Sequence, residues 1–354
     1  MGEKTRLKED CKTKIAQTLC KLNIDGLLRW VNKNSLLVVT YHGVYDKFCR
    51  GTLPLFTHLH VDLLREHLKF LKSNYNVISL SEFTSCLKER KPWPERAALI
   101  TFDDGLRNNY EVAFPVLKEF DLPAVIYLTV NYIGTDKLLW FDELYLLLKK
   151  CLEDAVKTEL LAEYLGPIPD SCDIGELYPI CSKRLKNKSI MERMEIIKRL
   201  KQLACIEGNP ILSEPFKFLS WEQVLEMKSS GLIEFGVHTA THRMVSELSP
   251  DEWEKEIVAP KNKIEKIIGN TIDTFCYPNG VPDVDFFQEH EKFLKSRGYV
   301  CAFSAHEGLN SPKYDQYRLG RISVGSDISS EINFFRLNTA GFISFLRTKL
   351  KFIT

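Results

Sequence analysis

No apolar run in this chain approaches the roughly 18 residues needed to cross a bilayer; Leu122–Val130 is nine long and reads as a strand. None of the ten cysteines forms a Cys-x-x-Cys pair, which argues against a zinc ribbon or a thioredoxin-type site. Charge of one sign is missing as well. The formal net charge is +1, so no global field points to nucleic acid. No glycine-rich phosphate loop follows any candidate strand, which weakens a nucleotide-binding reading. The chain has no internal repeat and no low-complexity segment. Residues 1–14 carry Lys4, Arg6, Lys8, Glu9, Asp10, Lys12 and Lys14 and no apolar core, unlike a signal peptide. The expectation is a cytoplasmic protein whose cysteines are mostly reduced and buried.

What is present is globular: 354 residues, 44% hydrophobic and 27% charged, with 18 Gly and 15 Pro. That length suits one large α/β domain with insertions, or two ordinary domains. Residues 12–31 space Ile15, Leu19, Leu22, Leu27, Leu28 and Val31 as a leading helix with one buried face, within an N-terminal helical segment over 1–35. Leu36–Tyr41 is a continuous β-prone run of the kind buried on both sides in parallel sheets. Further strands are expected at Val77-Ile78, Ala97–Phe102, Ala124–Val130, Leu232–Val237, Thr274–Tyr277, Tyr299–Phe303 and Arg321–Val324. Helical patterns lie between them, at 61–73 and 111–120 (with Pro115 as a kink) and from Ser249 to Gly269. Residues 135–215 interrupt the alternation and read as an inserted helical subdomain or lid.

The polar chemistry falls just past strand ends: His42, Asp103-Asp104, His238, and Pro278-Asn279-Gly280. That placement suits a (β/α) barrel site, and also an open doubly wound sheet. Adjacent side chains at a strand end point to opposite sides, so Asp103 and Asp104 are expected to do different jobs, one as a metal ligand and one facing a substrate water. His238 and His242 share a face if the chain turns helically after the strand. Two carboxylates and two imidazoles supply what metal-assisted hydrolysis needs. Alone, Asp-Asp-Gly is more often a turn, and His-x-x-x-His is often helix surface; their conjunction at strand ends favours function.

These residues resemble the polysaccharide deacetylases, the NodB-homology group also called carbohydrate esterase family 4. The family's T-F-D-D-G stands unchanged at 101–105, and its H-[ST]-x-x-H is matched by His238–His242. Its R-x-P-x-G is matched in part by Cys276-Tyr277-Pro278-Asn279-Gly280. Tyr41-His42-Gly43-Val44 looks like the opening of the subgroup acting on poly-N-acetylglucosamine-type polymers. The resemblance spans about residues 36–134 and 216–325, in a domain running over 36–330. It implies an α/β fold, a distorted (β/α)7-type barrel with a helical insert. It implies Asp103 as general base and Asp104, His238 and His242 as ligands of a divalent metal ion, usually zinc. The loop at Tyr277, Pro278 and Asn279, with His42, would contact substrate, a backbone N–H near Asn279 facing the oxyanion.

The chain departs from that pattern. Cys276 stands where many members carry the arginine that orients the base. Arg321 is the candidate to replace it, with a surface ion-pair role as the competing reading. The late Leu-x-x-x-His motif that supplies the general acid has no clear match; His306 is one candidate acid and His42 another. Residues 331–354 form a basic amphipathic tail, favoured as a helix packed on the barrel, with peripheral contact to an anionic membrane as the other reading. The activity expected is metal-dependent N-deacetylation of an N-acetylated amino sugar in a glycan or glycolipid intermediate of surface polysaccharide synthesis. The alternatives are hydrolysis of a non-sugar amide on the same fold and a catalytically inactive glycan-binding module.

Overall fold

The β-prone runs pair into one curled sheet. A computed structural model describes residues 3–46, 57–168, 173–204 and 214–350. Its strands are β1 (Leu37–Tyr41), β2 (Gly43–Tyr45), β3 (His58–His60), β4 (Asn76–Val77), β5 (Ala97–Phe102), β6 (Ala124–Leu128), β7 (Ile233–Val237), β8 (Thr274–Cys276), β9 (Cys301–Phe303) and β10 (Ile322–Ser323). The main sheet runs β10-β1-β5-β6-β7-β8-β9, with β4 also paired to β5, and every pairing is parallel. Beyond β9 the segment before β10 takes over: Phe303 bridges Leu319, and Leu319 N–H donates to Ala302 O at 3.0 Å. This is the curled, barrel-type sheet with helices that the family resemblance implied. The pair β2 and β3 was not foreseen. They form a separate two-stranded parallel sheet just past His42. Gly43 is required there, because a Cβ would sit 2.1 Å from the His58 ring.

Strand alternation sorts the side chains. Leu36, Val38, Ala97, Leu99, Val125, Tyr127, Cys276, Cys301 and Phe303 form one interior cluster. Thr101 and Asp103 continue the Ala97, Leu99 row toward the carboxyl end of β5. Thr40 Oγ1 and Thr101 Oγ1 lie 2.8 Å apart across β1 and β5, a buried polar pair just below the site.

Two of the expected helices begin with or contain a π turn, each ending two residues before a proline. Asn109–Ala113 precedes Phe114–Phe120, with Pro115 in its first turn, and Glu254–Val258 precedes Ala259–Ile268, with Pro260 in its first turn. A proline ring collides with the carbonyl four residues back, and the wider turn relieves that contact where a kink was expected at Pro115.

Residues 136–217 form a helical unit of their own, with helices Trp140–Cys151, Ala155–Leu165, Ile174–Lys186 and Ile190–Leu203. Its core is Leu144, Leu147, Leu148, Leu161, Leu177, Leu185 and Leu200. Pro179 lies inside a helix that Asp173 caps through Glu176 N–H at 3.0 Å. Trp140 has the Arg193 guanidinium 4.6 Å from its ring centre.

The leading segment differs from expectation. It is two helices, Glu3–Lys21 and Ile24–Val31, broken at Asn23, whose φ of 56° lies in the left-handed region. Ala16 and Cys20 of the first pack on Leu337, with Leu19, Ile24, Phe334 and Phe342 around them. Leu22, Leu27 and Val31, expected on a buried face, are exposed. In the C-terminal tail, Ile332–Thr339 and Phe342–Leu350 are helical, and Phe335 is buried with its ring stacked 3.9 Å from His67. Phe352 and Ile353 lie outside the described residues. Among the described residues no helix is long and apolar enough to cross a membrane.

Candidate metal centre

β5 is buried along its whole length and delivers Asp103 and Asp104 at its carboxyl end. Asp103 N–H donates to Tyr41 O at 3.0 Å, continuing the β1 ladder. Asp104 has φ 72°, and Gly105 N–H donates back to Asp103 O at 2.9 Å, which closes a three-residue turn of the strained kind. The turn sends the two carboxylates to different neighbours. At Gly105, φ 83°, a Cβ would meet Leu128 Cδ2 at 2.8 Å, so glycine is needed for both dihedral and space.

Asp104 faces the two histidines. Nε2 of His242 is 3.2 Å and Nε2 of His238 is 3.6 Å from Asp104 Oδ1, and the imidazole rings meet edge to face at 4.9 Å. His238 closes β7, and its Nδ1 lies 2.8 Å from the carbonyl of Cys276. A carbonyl only accepts, so Nδ1 carries the hydrogen and Nε2 presents its lone pair to Asp104. Burial, outweighing Asp103 and Asp104, lowers the His238 pKa to about 4, which leaves the ring neutral. Asp104 Oδ1 is shut off from solvent and accepts no hydrogen bond. Burial alone would raise its pKa, but His242 and the other imidazoles bring it down to about 2. An ionised carboxylate oxygen with no donor, facing a nitrogen lone pair, is a costly arrangement unless a cation sits among them. Ligand atoms of Asp104, His238 and His242 all lie within 4.8 Å of one another, so these residues fit a divalent ion.

Asp103 faces elsewhere. Arg321 Nη1 lies 2.8 Å from its Oδ1, and Arg321 Nε donates to Ser304 O at 3.1 Å. Cys276 Sγ approaches Asp103 Oδ1 and Oδ2 at 3.6 and 3.8 Å, and His42 Nε2 is 3.9 Å from Oδ2. Burial opposes the charge on Asp103, but the Arg321 guanidinium and then the nearby imidazoles hold its carboxyl well below the usual carboxylate range. Burial, against Arg321, pushes the Cys276 thiol well up, so it stays an S–H donor to Asp103. Asp103, His238 and Cys276 also cluster closely enough for a metal. We favour the Asp104 set, because Asp103 is already neutralised by Arg321 and Cys276 keeps its proton. The surface ion-pair reading of Arg321 is corrected by its burial: it is 4% exposed.

Other sequence-derived candidates fall differently. Tyr277, expected at the substrate, is fully buried and stacks on Phe286 at 3.7 Å. Alternation along β8 explains this: Cys276 faces the interior cluster, so Tyr277 faces the other way. Pro278 is buried and Asn279 exposed, with φ 57° at Asn279 and Gly280 N–H bonded to Pro278 O at 2.7 Å. His306 gives Arg321 a backbone acceptor at 2.8 Å, and its ring lies 6.3 Å from Tyr314. His42 is the imidazole beside Asp103. Its carbonyl takes a hydrogen bond from Asn109 Nδ2 at 2.6 Å, while Asn108 Oδ1 accepts from Val44 N–H at 3.1 Å.

Glu256 was not legible as a site residue. It sits in the π turn before Pro260, and its carboxylate accepts from Ala240 N–H at 3.1 Å, Thr241 N–H at 3.0 Å and Thr241 Oγ1 at 2.8 Å. It therefore fixes the loop between His238 and His242, where Thr239 and His242 have φ of 59° and 61°. Helical repeat alone would have left Glu256 as one more charged position; the only local cue was the proline four residues on.

The family model described as polysaccharide deacetylase matches residues 90–294. A poly-beta-1,6-N-acetyl-D-glucosamine N-deacetylase of Staphylococcus epidermidis is 33% identical over 138 residues, 36% of this chain and 46% of the relative. One from Escherichia coli is 32% identical over 93 residues, 26% of this chain and 13% of the relative. Both matches thus cover less than half of the relative's length. Among solved structures, the Streptococcus pyogenes deacetylase PplD superposes with a TM-score of 0.54 at 17% identity, over 85% of this chain and 97% of that one. IcaB from Ammonifex degensii does so with 0.54 at 19%, over 86% and 97%. At such identities these likenesses speak for the fold. The chain belongs to the polysaccharide deacetylase family.

Proposed function

We propose that this protein is a metal-dependent N-deacetylase acting on a polymer of N-acetylated amino sugar, with poly-N-acetylglucosamine of a surface polysaccharide as the substrate class. The observation that carries this reading is the division of the Asp103-Asp104 pair: one carboxylate held by Arg321, the other an unpartnered acceptor facing His238 and His242. In hydrolysis, water oxygen adds to the acetyl carbon, the C–N bond breaks, and acetate and a free amine leave. Asp104, His238 and His242 would hold the divalent ion, and zinc suits an Asp-His-His donor set. Bound there, the ion would polarise the acetyl carbonyl and make water more acidic.

The chain's own groups divide the remaining work. Asp103 is ionised at every working pH and takes the proton from the attacking water as general base. Arg321 and the Cys276 thiol orient it and keep it from protonating. His42, one-quarter exposed and 3.9 Å from Asp103, returns a proton to the leaving amine. Asn279, exposed on the turn after β8, lines the acyl pocket. The binding-module alternative rests on the missing arginine at position 276 and the missing late histidine motif; Arg321 beside Asp103 weighs against the first of these. The polymer repeats of the named relatives favour a sugar over a small amide.

The test is acetate release from N-acetylglucosamine oligomers, measured with the metal content of the same preparation before and after chelation. Bound divalent metal with chelator-sensitive acetate release is expected. A protein that takes up no divalent ion under any loading condition would overturn the ligand assignment.

A further inference from the structure

The helix Ile24–Val31 is built inside out. Its polar residues face the protein: Asp25 is fully buried, paired with Arg29 at 3.2 Å and with Arg336 at 3.0 Å. Three of its apolar residues face away, while Ile24 and Leu28 are partly buried: Leu27 is 55% exposed, Trp30 68% and Val31 62%, at i, i+3 and i+4 on one stripe. Leu22, 68% exposed, and Ile15, 55%, extend the apolar surface on the preceding helix. On the other side Phe345 and Leu346 are exposed one turn beyond Phe342, which packs into the same cluster as Ile24. Scattered exposed hydrophobics are ordinary; a contiguous stripe with an inward polar face marks a contact surface.

Charge decides what the surface fits. From Cys11 to Asn34 the single acid is Asp25, already buried and neutralised. Lys12, Lys14 and Lys21 are exposed on the preceding helix, close in sequence to Ile15 and Leu22. Pairing this face with its equivalent on a second copy would bring like charges together. An anionic lipid surface is complementary in both respects: it takes a tryptophan and leucines at the headgroup boundary and lysines at its phosphates.

We infer that the Ile24–Val31 face, with the end of the preceding helix, docks the protein on anionic bilayers as a peripheral contact. The inference is independent of the catalytic reading. The face adjoins the amino ends of the strands: Lys33 O accepts from Arg96 N–H just before β5, and Arg29 lies over the Tyr75 ring just before β4. The metal centre is at the carboxyl ends, so docking leaves the catalytic mouth open to a polymer in solution.

The experiment is co-sedimentation of the full chain with vesicles of phosphatidylglycerol and phosphatidylcholine in equal parts, against phosphatidylcholine alone. Binding to the anionic vesicles that weakens as salt is raised is expected. The double variant Leu27→Ser/Trp30→Ser should lower the partition coefficient by at least about tenfold with its melting temperature unchanged, since both side chains are exposed. The variant Lys12→Gln/Lys14→Gln/Lys21→Gln should remove the salt-dependent part. No binding of wild type to anionic vesicles, or equal binding by all variants, would overturn the proposal. So would a concentration-dependent dimer that the Leu27/Trp30 variant abolishes, because the face would then be an interface between copies.

Discussion

Arg321 and Asp103, 218 residues apart in sequence, form a buried ion pair of 2.8 Å at the mouth of the barrel. Their meeting depends on the strand order, since Arg321 stands just before β10 and Asp103 just after β5, and these two strands flank β1. Cys276 contributes only a thiol to the same carboxylate, where the family's third motif places the guanidinium.

Removing the arginine therefore leaves a buried carboxylate uncompensated. Arg321→Met is expected to lower stability by about 3–5 kcal/mol and kcat by about a hundredfold. Cys276→Ala should change kcat only a few-fold. The double variant Arg321→Met/Cys276→Arg, which returns the charge from β8, should recover much of the lost kcat in acetate-release assays. If Arg321→Met left kcat intact, Asp103 would not depend on this pair.

The two aspartates should separate cleanly. Asp103→Asn is expected to keep the metal and lose turnover by about 10²–10⁴-fold. Asp104→Asn and His238→Gln should lose the metal, read by metal analysis after dialysis. Metal-binding parity of all three variants would refute the division of labour.

Glu256 offers a finer test. Glu256→Ala should weaken metal affinity by about 10–100-fold, since the loop between His238 and His242 loses its clamp. Glu256→Gln should stay close to wild type: the amide oxygen still accepts from the two backbone N–H groups, and the Thr241 hydroxyl can accept from the amide nitrogen. Competition with a chromogenic chelator measures both. Equal affinities in the alanine and glutamine variants would reduce Glu256 to scaffold.

Acid stability follows from two buried imidazoles. Burial lowers His67 and His238 to about 4 from an ordinary value of 6.5. In the unfolded chain both bind protons as pH falls through 6.5, while in the folded chain they stay neutral until about 4. The folded state therefore loses stability across that window, on the order of 3 kcal/mol per group when fully traversed. Denaturant midpoints of the metal-free protein should fall from pH 7 to pH 5. His67→Phe, which keeps the stack on Phe335 but removes one titrating group, should flatten that slope.

The strands of the main sheet are legible in the chain, because continuous β-branched and apolar runs bounded by turn residues leave few alternatives, as at Leu37–Tyr41 and Ala97–Phe102. It also placed the Asp103-Asp104 and His238–His242 pairs at strand ends, since motif and strand boundary coincide in the chain. The pairing of β2 with β3, the burial of Tyr277 and the outward apolar stripe of Ile24–Val31 were decided by tertiary structure. So were the partners of Asp103 and the clamp of Glu256. Local periodicity says which side chains share a face, but not which face meets the core or what arrives there from a distant segment. Those choices are made only when the strands take their order in the sheet and the helices cover it, bringing Arg321 to Asp103 and Glu256 to the histidine loop.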